Sequence, residues 1–369
     1  MMKQNLACRR AVSALLDTRV AWLLMVCLAV AGWTAADAMA EGKLRAGIAA
    51  VDITPTRYPI LVNGWVLQRT AKRALDQLHT RAIVLDADGR RMALVVVDSL
   101  MLDLKTLDEA KAIASEKTGI PVDRMMVCAN HIHSAPSAAG CLGTPVDEDY
   151  RQFLIGKIAE NIELAAKALQ PVRIGWAVVE VYPANKSRRY IMLPKAANAF
   201  GETSKRANDI SGPGPHATSA TGPVDSHMSL LSLQSLDGKP IAVMGNLGFH
   251  FISPHHGYLS SDATGYFGTA LARELGADPA FIGLLSQGPC GDTSPGTGFR
   301  SQSPRTYAED VAKLAAAAYR DIEHHDWVPI DIAERAVVLP RRTPSPERLG
   351  VEQESTPGCR QRGNIHRER

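Results

Sequence analysis

Short apolar runs alternate with longer amphipathic stretches through most of the chain, and Gly, Pro and Asp mark the points between them. Residues 46–53 are an apolar run stopped by Thr54-Pro55, the pattern of a first strand. Runs 82–85 and 92–98 flank Asp86-Ala87-Asp88-Gly89, a hairpin signal. Residues 106–117 have helical periodicity, with Thr106 and Glu109 spaced as a capping box and Gly119 and Pro121 as the stop. A short apolar strand follows at 125–129, then a long amphipathic helix at 149–169 and a strand at 172–182. Residues 195–224 are rich in Gly, Ser, Pro, Thr and Asn and read as a long loop, a length that often carries function. Strands 228–236 and 241–249 pair across Asp237-Gly238. Helix 264–275, strand 280–286, an Ala-rich helix at 304–322 and a last strand at 330–339 complete the pattern. It shows no internal repeat and no second domain boundary. This order predicts an α/β domain with mixed sheets in layers and with its site loops at strand carboxyl ends.

The two ends read differently. Lys3, Arg9, Arg10 and Arg19 precede an uncharged apolar run at 20–32, and Ala38-Met39-Ala40 offers a small-x-small cleavage site. This layout predicts a secretory signal over residues 1–40, cleaved after Ala40, and hence a secreted or periplasmic protein. The bland alternative is an uncleaved N-terminal anchor. The run is short of the roughly 20 residues of a comfortable span, and no apolar segment after residue 40 is long enough to cross, so membrane contact is expected to be peripheral at most. Residues 343–369 form a polar, Arg-rich tail without apolar periodicity, expected either to be disordered or to mark a catalytic domain over 41–342 that is incomplete at its C-terminus.

Composition narrows the function. The formal net charge is +3, and much of that surplus sits in the leader, so a near-neutral remainder gives no electrostatic case for nucleic acid. Outside the leader the cysteines are Cys128, Cys141, Cys290 and Cys359. An oxidising compartment would permit a Cys128–Cys141 or Cys141–Cys290 bridge, and the sequence does not choose between them. No C-x-x-C pair suggests a cysteine-based zinc site.

Three segments carry candidate chemistry, each just past the carboxyl end of an apolar strand. Asn130-His131-Ile132-His133-Ser134-Ala135-Pro136 places two histidines at i and i+2, which on an extended segment point the same way and reach one centre. Taken alone, the pair is as compatible with packing or surface histidines. Asn246-Leu247-Gly248-Phe249-His250 ends a second strand, with His255, His256 and Asp262 following. Asp262 would orient a ligand histidine or, more blandly, cap the helix after it. Gln287-Gly288-Pro289-Cys290-Gly291-Asp292-Thr293-Ser294-Pro295 follows a third strand. Its glycines allow close backbone approach and an oxyanion-holding turn, and Ser294 is a candidate nucleophile or substrate-binding hydroxyl. The bland reading is a turn with polar filler. A fourth segment, Asn185-Lys186-Ser187-Arg188-Arg189-Tyr190, could bring an arginine to a carbonyl or oxyanion, or be a solvated basic loop.

The ordered set resembles the neutral/alkaline, non-lysosomal ceramidases. Ala46-Gly47-Ile48-Ala49-Ala50-Val51-Asp52-Ile53-Thr54-Pro55 is similar to the opening of their catalytic domain. His131-Ile132-His133-Ser134-Ala135-Pro136 resembles their H-T-H-S-G-P segment, His250 and Asp262 fall at a zinc-ligand His and a following S-A-D segment, and Gly291-Asp292-Thr293-Ser294-Pro295 resembles G-D-V-S-P. The resemblance runs from about residue 44 to 340. It implies a zinc-dependent amidase that cleaves the N-acyl bond of ceramide or a related lipid. His131 and His250 would ligate Zn2+, His133 would contact substrate or intermediate, and Ser294 and Arg188 or Arg189 would sit at the scissile amide. Asp262, Asp292 and Gly291 would support the ligands or the substrate. The family also uses a Glu and a Tyr as zinc ligands downstream of the Ser motif. No segment here matches them, and no tyrosine follows Tyr319.

Three function classes follow. The first is the metal amidase, with either a zinc-activated water or Ser294 as nucleophile. A metal-dependent hydrolase of a different small amide is the near alternative. An amidohydrolase-type barrel would need a regular eightfold βα repeat, which the pattern lacks. The third is a truncated or non-catalytic relative acting as a binding protein.

Overall fold

A computed structural model describes residues 44–65, 67–181, 185–193, 206–208, 217–250, 257–296, 303–340, 343 and 345–347. The leader 1–40, His255, His256, Cys359 and most of the tail 343–369 lie outside the described residues. Strands β1 (Leu44–Asp52), β2 (His79–Ala87) and β3 (Arg90–Val97) form an antiparallel meander, and helix α1 (Leu104–Thr118) crosses over to the parallel strand β4 (Met125–Ala129). Helix α2 (Glu148–Lys167) then returns to the short strand Gln170–Pro171, which pairs with β1. The first sheet therefore runs β4, β3, β2, β1 and the return strand.

The second sheet repeats this plan. Strands β5 (Arg173–Glu180), β7 (His227–Gln234) and β8 (Pro240–Leu247) form a meander, and helix α3 (Asp262–Leu275) crosses to the parallel strand β9 (Ile282–Gln287). Helix α4 (Pro304–Tyr319) leads to the short strand His324–His325, which pairs with β5. The sequence pattern predicts no internal repeat, yet the two halves share one connectivity. The repeat is topological. Residues 53–78 and 181–226, which separate the first two strands of each half, differ in length and content and hide it from the sequence.

Three apolar cores make the layers. Leu154, Ile158 and Ile162 of α2 and Ala110 and Ala114 of α1 pack on Val84, Val95 and Val97. Phe267 and Leu271 of α3 and Val311 and Ala315 of α4 pack on Met228, Val243 and Leu285. Ile83, Leu85, Val96, Leu233, Met244 and Leu284 fill the space between the sheets. Each large aliphatic side chain buried in this way contributes about 1.5–3 kcal/mol relative to exposure. The result is a helix, sheet, sheet, helix sandwich, the layered mixed-sheet α/β architecture that the pattern predicts. Among the described residues no helix is long and apolar enough to cross a membrane.

Several local expectations are corrected. Helix α1 is capped by Asp103, whose side chain accepts from the Thr106 amide, so the Thr106 and Glu109 box is not its start. The long loop contains strands Arg206–Asn208 and Ala217–Ala220, paired with Arg189–Met192. Residues 330–339 form no strand. Val328, Ile330 and Ile332 pack on the inter-sheet core without a ladder. Cys128, Cys141 and Cys290 are free thiols, so neither anticipated bridge forms. Burial pushes the Cys128 thiol up to about 11, and it donates weakly to the Val95 carbonyl.

Candidate functional site

The loops after β3, β4, β8 and β9 gather at one edge of the sandwich, together with the segments that follow β1 and β5. Asn130 follows β4 and is 2% exposed, with its amide bonded to the Val97 carbonyl. His131 then adopts φ 62°, in the left-handed region that costs a non-glycine residue on the order of 1 kcal/mol. The histidines therefore converge through a turn and not through the strand alternation that the i, i+2 spacing suggests. His250 arrives from β8 in the other half. The three ring centroids form a near-equilateral triangle: 4.9 Å for His131 to His133, 4.9 Å for His131 to His250 and 5.0 Å for His133 to His250.

Backbone carbonyls fix two of the rings. His131 Nδ1 lies 3.0 Å from the Leu100 carbonyl, and His133 Nδ1 lies 3.2 Å from the Gly64 carbonyl. A carbonyl only accepts, so each Nδ1 carries the proton and each Nε2 presents a lone pair. Gly64 has φ 86°, and a Cβ there would stand 2.7 Å from His133 Nδ1. Trp65 adds a second hold, donating from Nε1 to the His133 carbonyl at 3.2 Å while Arg69 covers its ring at 3.7 Å.

His133 Nε2 faces His250 Nε2 at 3.0 Å, and among the described residues the buried His250 Nδ1 has no hydrogen bond of normal geometry. If His250 is protonated on Nε2, its Nδ1 lone pair is stranded. If it is protonated on Nδ1, two lone pairs oppose each other. A cation between the rings would satisfy the facing lone pairs. One donor nitrogen from each ring lies within 4.8 Å of the others. All three rings are held neutral. Burial is the main cause, taking His133 down to about 4 and His250 down to about 3 and lowering His131 as well, and the nearby charge of Arg188 adds to each. Neutral imidazoles are the form a metal ion needs, so the donor set fits one.

The remaining predicted residues take distinct places. Strand β6 (Asn185–Ser187) pairs antiparallel with β10 (Thr293–Pro295), setting Lys186 opposite Ser294. Arg188 follows at once, 6% exposed, its amide donating to the Asp292 carbonyl at 2.7 Å. Ser294 is 8% exposed, and among the described residues its hydroxyl has no hydrogen-bond partner. Gly291 and Asp292 are exposed, and Asp292 contributes its backbone carbonyl to Arg188. Asp262 is 1% exposed with φ 54°; its carboxylate accepts from the Ala263 amide at 2.6 Å, and it shares a small cavity with His131, Thr264 and Gln287. It is the first residue of α3, with Ser261 at the cap position.

Behind His250 the second half is tightly tied. A Cβ on Gly248 would meet the Pro289 carbonyl at 2.4 Å, so only glycine lets these loops touch. Asn185 donates to the Gly248 carbonyl at 2.8 Å and accepts from the buried Tyr307 hydroxyl at 3.1 Å. Sequence reasoning missed the orienting carbonyls of Gly64 and Leu100, and Trp65 with them. The Asn63-Gly64 pair was the available signal, a turn dipeptide set in an apolar run.

No family model matches the sequence, and no curated protein matches it. Solved structures do match in fold. Neutral ceramidase from Pseudomonas aeruginosa superposes with a TM-score of 0.60 at 18% identity, covering 76% of this chain and 45% of that one. A ceramidase complexed with C2 gives a TM-score of 0.59 at 20% identity, covering 76% and 44%. The chain thus has a ceramidase-like fold and spans less than half the length of these structures.

Proposed function

We propose that this chain is a metal-dependent hydrolase of an N-acyl lipid amide, with ceramide as the model substrate. The carrying observation is the triangle of three neutral histidines at the loop edge of a ceramidase-like fold. His131, His133 and His250 hold the metal, and Zn2+ suits an all-imidazole set. The sequence assigns His133 to the substrate; its equal spacing in the triangle supports a role as third ligand instead. When bound, such an ion supplies Lewis acidity, polarising the amide carbonyl and lowering the pKa of a water molecule to about 7. The Leu100 and Gly64 carbonyls hold two ligand rings in the metal-ready tautomer. Ser294 offers its unpaired hydroxyl to the amide oxygen. Arg188 supplies positive charge where the oxyanion develops, a contribution on the order of 3 kcal/mol for one well-placed donor. The leader-like residues 1–40 extend this reading to a secreted or periplasmic enzyme, which N-terminal sequencing of the exported chain tests.

A second reading, a metal-holding relative without turnover, has one observation in its favour. Among the described residues no carboxylate or thiolate joins the three histidines. Hydrolysis of an N-acyl-sphingosine by the purified chain, with and without a chelator, separates the two. Turnover that chelation abolishes and zinc restores supports the hydrolase. Zinc binding without turnover supports the second reading. Turnover that is indifferent to chelation sinks the metal assignment.

A further inference from the structure

The side chain next to the histidine pair ties together three segments that the cluster depends on. Asn130 Nδ2 donates to Asp98 Oδ1 at 2.6 Å and to Thr264 Oγ1 at 2.9 Å, and its Oδ1 accepts from the Ser99 amide at 3.2 Å. All four residues are buried, at 2% for Asn130, 0% for Asp98, 2% for Ser99 and 5% for Thr264.

Each bond has a separate consequence. Asn130 is joined to His131 by one peptide unit, so anchoring its side chain sets the backbone from which that ring projects. The bond from Ser99 fixes the segment whose next residue, Leu100, supplies the carbonyl that orients the same ring. The bond to Thr264 reaches the first turn of α3, in the half that carries His250. Thr264 is itself set by its own bond to the Ser261 carbonyl at 3.0 Å. Asp98 could not serve as anchor without its own partners, since a buried carboxylate must be paired. Arg81 donates to its Oδ1 at 2.9 Å and the His79 amide to its Oδ2 at 2.8 Å. The carboxamide is the side chain this place requires: two donors face two oxygens, and one acceptor faces an amide. A carboxylate would oppose Asp98, and an apolar side chain would strand Asp98, Ser99 and Thr264 together.

We infer that Asn130 is a positioning residue for the metal centre, registering His131, its orienting carbonyl and the half bearing His250 through Ser99, Asp98 and Thr264. The inference rests on the metal reading above. Partners that orient metal ligands from behind typically change metal affinity 10–100-fold when removed.

The test measures Zn2+ affinity by competition with a chromogenic chelator, beside the thermal unfolding of the metal-free chain. The variants are Asn130→Ala, Thr264→Val and Thr264→Ser. Asn130→Ala should weaken zinc binding by roughly 10–100-fold. Thr264→Val removes the acceptor oxygen at nearly constant volume and should weaken binding in the same direction. Thr264→Ser keeps the oxygen and should bind as the parent does. A residue that merely stabilises the fold would shift the unfolding temperature and leave the zinc affinity of the folded protein unchanged. Parent-like zinc affinity in Asn130→Ala and Thr264→Val overturns the inference while leaving the metal reading intact. If Asn130→Ala does not fold, the Thr264 pair decides by the same criterion. If the parent chain binds no zinc, the metal reading and this inference fall together.

Discussion

Ser134 and Ser260 hold each other by a pair of hydrogen bonds: the Ser260 amide donates to the Ser134 carbonyl at 3.0 Å, and the Ser134 hydroxyl donates to the Ser260 carbonyl at 2.9 Å. Ser134 adjoins His133 in the first half, and Ser260 lies just ahead of α3 in the second. Asp76 reinforces the joint from the first half, accepting from the Ser260 hydroxyl, the Ser261 amide and hydroxyl, and the Tyr266 hydroxyl.

The Ser134→Ala variant keeps the first of these bonds and loses the second. It should cost about 1 kcal/mol, the usual net worth of one buried neutral hydrogen bond. Urea unfolding with an unchanged slope would read this as a shifted midpoint. An unmoved midpoint would show that the hydroxyl adds nothing to the joint.

Helix α3 meets β9 through two glycines. A Cβ on Gly283 would stand 2.5 Å from the Gly268 Cα, with backbone on both sides and no flexible side chain to yield. Gly283→Ala is therefore expected to destabilise the protein by about 1–3 kcal/mol through overpacking. Denaturant unfolding measures this, and parent-like stability would mean that helix and strand can separate at little cost.

Acid should weaken the metal-free fold through the histidines. In the unfolded chain they titrate near 6.5, whereas burial holds His133 at about 4 and His250 at about 3 in the folded state. Between those values the unfolded chain binds more protons, so stability rises with pH across this window. The contribution is complete above about pH 6.5 and is lost as pH falls toward the folded values. Unfolding free energies from pH 7 to 4 should decline more steeply for the parent than for His133→Gln. Parallel curves would mean that His133 is not held neutral.

Arg188 lowers the proton affinity of all three rings. In Arg188→Met their titration should move upward, observed by NMR of histidine-labelled protein. A His250 titration that does not move would show that the Arg188 charge does not reach the ring.

Ser294 offers a separation of stability from turnover. Its hydroxyl has no partner to lose among the described residues, so Ser294→Ala should unfold like the parent. If the hydroxyl meets the amide oxygen, kcat on N-acyl-sphingosine should fall about 10²-fold or more, the effect of deleting one oxyanion donor. Undiminished turnover would remove Ser294 from the reaction.

Much of this arrangement was legible because local rules were obeyed. Strand β4 was found at its observed bounds, since a five-residue apolar run after a Gly and Pro stop has few alternatives. The hairpins at Asp88-Gly89 and Asp237-Gly238 followed from turn chemistry alone. His131, His133 and His250 could be singled out as strand-end residues, but their triangle could not, because it joins residues more than a hundred positions apart. Gly64 and Leu100 escaped notice for a different reason. They act through backbone carbonyls, and side-chain identity is silent about those. Residues 330–339 misled because an apolar run can bury its side chains without joining a ladder, as Ile330 and Ile332 do against the inter-sheet core.

The shared connectivity of the two halves gives ligand occupancy a mechanical meaning. His131 and His133 belong to one half and His250 to the other, so an ion held by all three is a staple across the inter-sheet seam. Its affinity for the assembled sandwich is then also a force holding the sandwich together, growing with the logarithm of free metal concentration. Strip the ion, and the seam gives up that staple but keeps the ties of Asn130 to Thr264 and of Asp76 to Ser260, Ser261 and Tyr266.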